Sequence, residues 1–182
     1  DYTASGTVSP LTGPGLVTFE YWTTDGYRTF MTFTDSDGKF EFGTFDLDRY
    51  SNMWATDAAL GVETGGYLEH KRWFNNPGDL EGITFDITRD AEASGSVLKS
   101  EDGSGIEGVW VEAELWKGNE SLFSYTMSNA DGKFSLPLQG RNLYNRIFVD
   151  HPDYKSDWDG CLDYPFYVQS GDVMEVECEL TP

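Results

Sequence analysis

The sequence predicts an all-β protein of two tandem β-sandwich domains, and three observations predict it. Wherever its pattern is regular, apolar and polar residues alternate with period two, the mark of half-buried strands. One tetrapeptide, Asp-Gly-Lys-Phe, occurs twice, within DSDGKF at 35–40 and NADGKF at 129–134. The residues around the two copies also align along most of the chain, so the two domains read as an internal duplication.

The elements follow in order. SGTV at 5–8 opens the first half and SGSV at 94–97 opens the second. In LVTFEYW, Val17, Phe19 and Tyr21 alternate with Thr18, Glu20 and Trp22. In WVEAELW, Val111, Ala113 and Leu115 alternate with Glu112, Glu114 and Trp116. With Gly38 set on Gly132, Trp22 falls on Trp116, Glu20 on Glu114, Val17 on Val111 and Phe40 on Phe134. At the same offset Thr29, Met31 and Phe33 fall on Phe123, Tyr125 and Met127. The opening strands align at a shorter offset, and the difference lies in the following loop, where insertions are tolerated. Ile83, Phe85 and Ile87 match Val176, Cys178 and Leu180 on the closing strands. The domains are placed at 1–89 and 90–182, with an irregular insertion around 46–66. Within it, LDRYSNMWATDAAL at 47–60 is the best helical candidate.

Between Thr34 and Lys39, and between Ser128 and Lys133, Asp-Gly supplies a hairpin turn. Gly tolerates positive φ, and the Asp before it is expected to bond back to the turn backbone. An EF-hand reading of this run needs more ligands and a Glu at the twelfth loop position, where Asp46 stands. The turn is therefore preferred to a metal loop.

Composition bounds the partners. Lys and Arg number 12 against 32 Asp and Glu, a net charge of −20. Such a chain repels a phosphate backbone and an anionic lipid surface, so neither nucleic acid nor membrane is expected as a partner. Hydrophobic residues make up 38% and aromatics 15%, enough for packed cores rather than disorder. No stretch approaches the roughly 20 apolar residues of a membrane helix. The opening DYTASG has neither a basic n-region nor an apolar h-region, so any export signal is expected outside it.

The pattern SGTV, GLVTF, TDSDGKFEF, repeated as SGSV, GVWVEA, SNADGKFSL, resembles the carboxypeptidase regulatory-like domains. These are also called transthyretin- or prealbumin-like, within the immunoglobulin-like sandwiches. The resemblance covers residues 3–89 and 91–182; the second half matches better, through RIFVDHPDY and VMEVECELT. It implies about seven strands per domain and a non-catalytic module attached to secreted hydrolases, receptors or surface adhesins. No universal active site comes with it. Related collagen-adhesin sandwiches carry a Lys–Asn isopeptide bond. The first half has no Lys on its opening strand, and Lys99 lacks an Asn on the closing strand, so none is expected.

The chemistry-bearing candidates are few. His70 and His151 are the two histidines, and neither sits at zinc-ligand spacing. No Gly-x-Ser-x-Gly elbow or phosphate loop is present. Carboxylate pairs are too abundant to single one out, and no enzyme is expected. In DHPDYKSDWDGCLD, Asp150, Asp153, Asp157, Asp159 and Asp163 read either as a solvated acidic loop or as oxygen ligands for Ca2+ on one tight turn. Trp22, Glu20, Trp110, Glu114 and Trp116 lie on outward faces. They read either as packing or as a polysaccharide platform, with aromatic rings stacking on sugars. Trp54, Trp73 and Trp158 fall in loop-like segments. Cys161, in the loop before the closing strand, and Cys178, on it, are either two buried thiols or one disulfide of an exported protein. The expected function is a structural or adhesive module of a larger secreted or cell-surface protein, working with that protein's other parts. The alternative is a carbohydrate-binding or accessory domain of an extracellular hydrolase.

Overall fold

The computed structural model describes residues 2–10, 14–23, 26–45, 58–64, 68–74, 80–155, 157–162 and 165–182. The chain divides into two compact units: Asp1–Ile87 with Lys117–Ser121, and Thr88–Trp116 with Leu122–Pro182. Among the described residues the regular elements are strands, and no helix is long and apolar enough to cross a membrane.

In the first unit, β1 (Tyr2–Ser9), β4 (Lys39–Phe45) and β7 (Ile83–Asp86) form a three-stranded sheet with β1 in the middle. β1 runs antiparallel to β4 and parallel to β7. The facing sheet orders β6 (Leu68–Phe74), β5 (Ala58–Thr64), β2 (Leu16–Thr23) and β3 (Gly26–Phe33). Alternation sends Val17 and Phe19 of β2 inward, where Phe19 meets Phe42 at 5.6 Å. Phe40 packs on Phe85 at 6.2 Å, so aromatic rings fill this sandwich. Residues 58–64 belong to β5, paired with β2 from Leu16↔Glu63 to Tyr21↔Ala58. That part of the stretch expected as an irregular insertion or helix is therefore strand. Residues 46–57 and 65–67 lie outside the described residues.

The second unit has the same small-sheet topology. β8 (Ala91–Lys99) lies between β11 (Lys133–Leu138), antiparallel, and β16 (Val173–Leu180), parallel. The facing sheet orders β14 (Asp157–Leu162), β13 (Arg146–Asp150), β9 (Trp110–Lys117) and β10 (Glu120–Met127). β12 (Asn142–Tyr144) and β15 (Phe166–Val168) form a separate short antiparallel ladder. There Tyr144 is fully buried and stacks on Phe166 at 5.6 Å. Its hydroxyl accepts the Gln139 N–H at 2.9 Å, and burial raises its pKa. Val111, Ala113 and Leu115 of β9 are buried, as their alternation requires.

Both DGKF turns close in the same way, although the anchoring residue differs from the sequence expectation. Gly38 and Gly132 hold φ of 78° and 74°. The side chain that bonds back is the first turn residue, Asp35 or Asn129, rather than the Asp before Gly. Asp35 Oδ1 accepts the N–H groups of Asp37 and Lys39 at 2.9 and 2.8 Å. Asn129 Oδ1 accepts those of Asp131 and Lys133 at 3.0 and 2.9 Å. An amide serves as well as a carboxylate because only an acceptor oxygen is required.

The middle strands depend on one glycine each. A Cβ on Gly95 would stand 1.7 Å from the Val176 carbonyl oxygen, and one on Gly6 2.0 Å from that of Ile83. In both units the ring of the paired Phe, Phe134 or Phe40, reaches the space a side chain would take. Gly95→Ala is expected to destabilise unit 2 by about 3 kcal/mol or more, because backbone rather than a mobile side chain must give way. Gly43→Ala, where a Cβ meets nothing within 4 Å, is expected to leave stability unchanged or raise it by about 0.5 kcal/mol. Urea unfolding of both variants measures the contrast.

Candidate functional site

The aromatic and acidic candidates lie mainly on the outward face of the β9–β13 pair. The alternation that buries Val111, Ala113 and Leu115 turns Trp110, Glu112, Glu114 and Trp116 to the opposite side. The antiparallel register sets Arg146 beside Glu114, Phe148 beside Glu112 and Asp150 beside Trp110. Arg146 grips Glu114 with two nitrogens, Nε to Oε2 at 2.9 Å and NH2 to Oε1 at 3.3 Å. Its guanidinium also lies 4.9 Å above the Phe148 ring. Trp110 donates Nε1–H to Glu112 Oε2 at 2.9 Å.

β10 adds a second aromatic row. Trp110 and Tyr125 stack with centroids 4.6 Å apart and planes at 15°. Trp116 meets Phe123 edge-on at 5.2 Å and stays 52% exposed, and Met127 is exposed at the far end of β10. In the first unit Glu20 is bound by Lys71, whose ammonium lies 5.9 Å from the Trp73 ring. Trp73 is on β6 and Trp158 on β14, strands rather than the loops expected for them. The side chains of Trp22 and Trp158, and all of Trp54, lie outside the described residues.

Sequence reasoning singled out the tryptophans and glutamates but missed Arg146, Phe148, Tyr125 and Phe123 as their partners. The alignment of Phe123, Tyr125 and Met127 on one face was a usable signal for the β10 row. Arg146 carried none, because only the β9–β13 register sets it beside Glu114. Glu20, Glu112 and Glu114 are thus each engaged by a neighbouring side chain. The face offers aromatic surface whose nearest carboxylates already hold cations or an indole N–H.

The acidic stretch is arranged differently from a tight turn. Asp150 ends β13 and is exposed, and Asp153 is exposed in the following turn. There Asp153 N–H donates to His151 Nδ1 at 3.1 Å. Asp157 and Asp159 belong to strand β14, their side chains outside the described residues, and Asp163 lies outside them altogether. Among the described residues no group of three or more His, Cys, Asp or Glu is placed to hold a metal ion.

Cys161 and Cys178 are joined in a disulfide with Cα atoms 5.1 Å apart. Cys161 sits on β14 rather than in a loop, so the bond ties the two sheets of unit 2 together. The first unit fills the corresponding place without sulfur. Phe85 of β7, opposite Val8 as Cys178 is opposite Val97, meets His70 of β6 edge-on at 5.2 Å. His70 is buried, with Nδ1 3.1 Å from the Asp86 carbonyl oxygen. Desolvation lowers its pKa, and the Asp86 contact opposes this in part.

No family model matches the chain, so none supports the carboxypeptidase regulatory-like resemblance, and no curated protein matches either. Solved structures do. The TIE protein of Bacillus anthracis is 13% identical over 98% of this chain, with a TM-score of 0.38. The shaft pilin SpaA of Lactobacillus rhamnosus GG is 10% identical over 100% of this chain and 97% of its own, with a TM-score of 0.33. The pilus 2b backbone protein of group B streptococcus is 12% identical over 99% of this chain and 85% of its own, with a TM-score of 0.34. The chain spans 33% of the length of the TIE protein.

Two outcomes follow from the cross-sheet contacts. Reducing Cys161–Cys178 frees a loop of sequence separation 17 and is expected to cost about 3 kcal/mol in the chain-entropy picture. Urea unfolding with and without reductant reads the loss. His70 is held below its ordinary value, so as pH falls the unfolded chain takes up the proton first. Its contribution is therefore full above about pH 6.5 and declines as pH drops below that, by at most ~1.4 kcal/mol per unit. Thermal melts between pH 7 and pH 5 should show this slope, flattened in His70→Gln.

Proposed function

We propose that this chain is a non-catalytic structural module of a secreted or cell-surface protein, attached to other parts of that protein. The observation that carries this reading is the state of the outward face. Its carboxylates and aromatic rings are engaged with one another through Arg146–Glu114, Trp110–Glu112 and Trp110–Tyr125. A sugar platform instead needs rings lying open and carboxylate oxygens free to accept hydroxyl protons. The disulfide between the sheets of unit 2 supports an oxidising compartment, where such bonds persist. The charge of −20 keeps such a module soluble and apart from its copies.

Carbohydrate binding is the competing reading, favoured by the half-exposed ring of Trp116. Electrophoresis through gels containing common polysaccharides separates the two. The structural reading expects unchanged migration in every gel. Retardation by one polysaccharide that disappears in Trp116→Ala, with folding intact, would replace it with the carbohydrate-binding reading.

A further inference from the structure

We propose that each unit is a shear clamp, that unit 2 is the stronger, and that the Cys161–Cys178 disulfide shortens the extension of unit 2 once its clamp opens. The proposal deepens the structural reading above, but it stands on strand pairing and keeps its own test.

The chain enters unit 1 on β1 and first leaves it directly after β7, and Lys117–Ser121 return to it later. It enters unit 2 directly before β8, and β16 is the last strand of that unit. Both of these first–last pairs are parallel. A pull on the two ends of a unit drags the first strand towards its N-terminal end and the last strand towards its C-terminal end. The evenly spaced hydrogen bonds of a parallel pair are then loaded together, along the strands, instead of one after another. Resistance to a pull is a matter of unfolding rate, and a barrier that requires many bonds to break at once is crossed slowly.

The two clamps differ in length. β7 meets β1 from Gly6↔Ile83 to Ser9↔Asp86, four residue pairs. β16 meets β8 from Val173↔Glu92 to Leu180↔Lys99, eight residue pairs. Backbone bonds continue past both ends of each ladder, Glu92 N–H to the Asp172 carbonyl at 2.9 Å and Ser100 N–H to the Leu180 carbonyl at 3.0 Å in unit 2, Ser5 N–H to the Leu80 carbonyl at 2.9 Å and Ile87 N–H to the Ser9 carbonyl at 3.0 Å in unit 1, so the count of residue pairs remains the difference. The point where the pull enters unit 2 is also anchored. Asp90 Oδ1 accepts the Gly140 N–H at 2.6 Å, and the Asp90 carbonyl accepts the Gly171 N–H at 2.5 Å. β16 further buries Val176, Cys178 and Leu180, so sliding it out uncovers apolar surface at the same step.

The disulfide shares the load at Cys178, two residues from the pulled end of β16 at Leu180, and limits the extension that follows. Once β16 is stripped from β8, tension reaching Cys178 passes through the bond to Cys161 on β14. The chain between them, of sequence separation 17, carries no load. At about 3.5 Å per extended residue, the oxidised unit should lengthen by roughly 55 Å less than the reduced one. Phe85 stands where unit 1 would need a cysteine, and the sequence has only the two, so unit 1 has no such stop.

Single-molecule stretching of the whole chain, held at its two ends with and without reductant, tests the proposal. The oxidised chain should give two ruptures. The weaker keeps its contour length on reduction, and the stronger gains roughly 55 Å, which identifies it as unit 2. Finding that the rupture which lengthens is the weaker one in the oxidised chain would overturn the ranking. A second geometry tests the clamp itself, by attaching one handle through a click-reactive side chain at exposed Ser100 and the other at the C-terminus. With the disulfide reduced in both geometries, β8 and β16 are then pulled from the same end and should unzip at a force several-fold lower. An equal force in both geometries would overturn the shear clamp. Neither result bears on polysaccharide retardation, so failure here and failure of the structural reading remain separate.

Discussion

The approach of three strands at one glycine underlies the rest of each unit. β8 lies between an antiparallel and a parallel neighbour, and at Gly95 the Val176 carbonyl comes where a side chain would otherwise begin. The Phe134 ring closes over the same spot from β11. Gly6, Ile83 and Phe40 repeat the arrangement in unit 1. With this contact, the small sheet presents Phe134, Val176 and Cys178 as one buried layer against the facing sheet. Any larger residue would part the first strand from the last, and with them the surface that the other sheet covers.

The facing sheets then take up what the small sheets offer. At the position opposite Val8 or Val97, unit 1 uses an aromatic contact, Phe85 on His70, and unit 2 uses a covalent one, Cys178 to Cys161. The two solutions respond to different conditions. A buried imidazole loses ground when acid charges the unfolded chain, whereas a disulfide loses ground only in a reducing medium. The same fold therefore carries a pH-sensitive cross-sheet contact in one half and a redox-sensitive one in the other.

Charge explains the outward faces. With 12 cationic side chains among 32 acidic ones, a carboxylate close to an aromatic row is costly unless something compensates it. Arg146 does this for Glu114 while lying on Phe148, and Lys71 does it for Glu20 close to Trp73. Each cation thus joins an acidic position to an aromatic one. The rings are held by these pairs and by each other.

The sequence by itself determined the strand character, the inward faces of β2 and β9, the two DGKF turns and the equivalence of the opening and closing strands. These depend on local periodicity and on turn chemistry, which neighbouring residues carry without help from distant ones. It also set Cys178 at the place of Phe85 on the closing strand. Tertiary structure decided the rest. The stretch after Phe45 has no clean alternation, and β5 becomes a strand because β2 offers it a partner in register. Cys161 and Asp157 were read as loop residues, yet pairing with β13 draws them into β14 and brings the two sulfurs together. Arg146 reaches Glu114 through a strand neighbour remote in sequence. Register between strands is set by the summed burial of both faces, and no short window of sequence contains that sum.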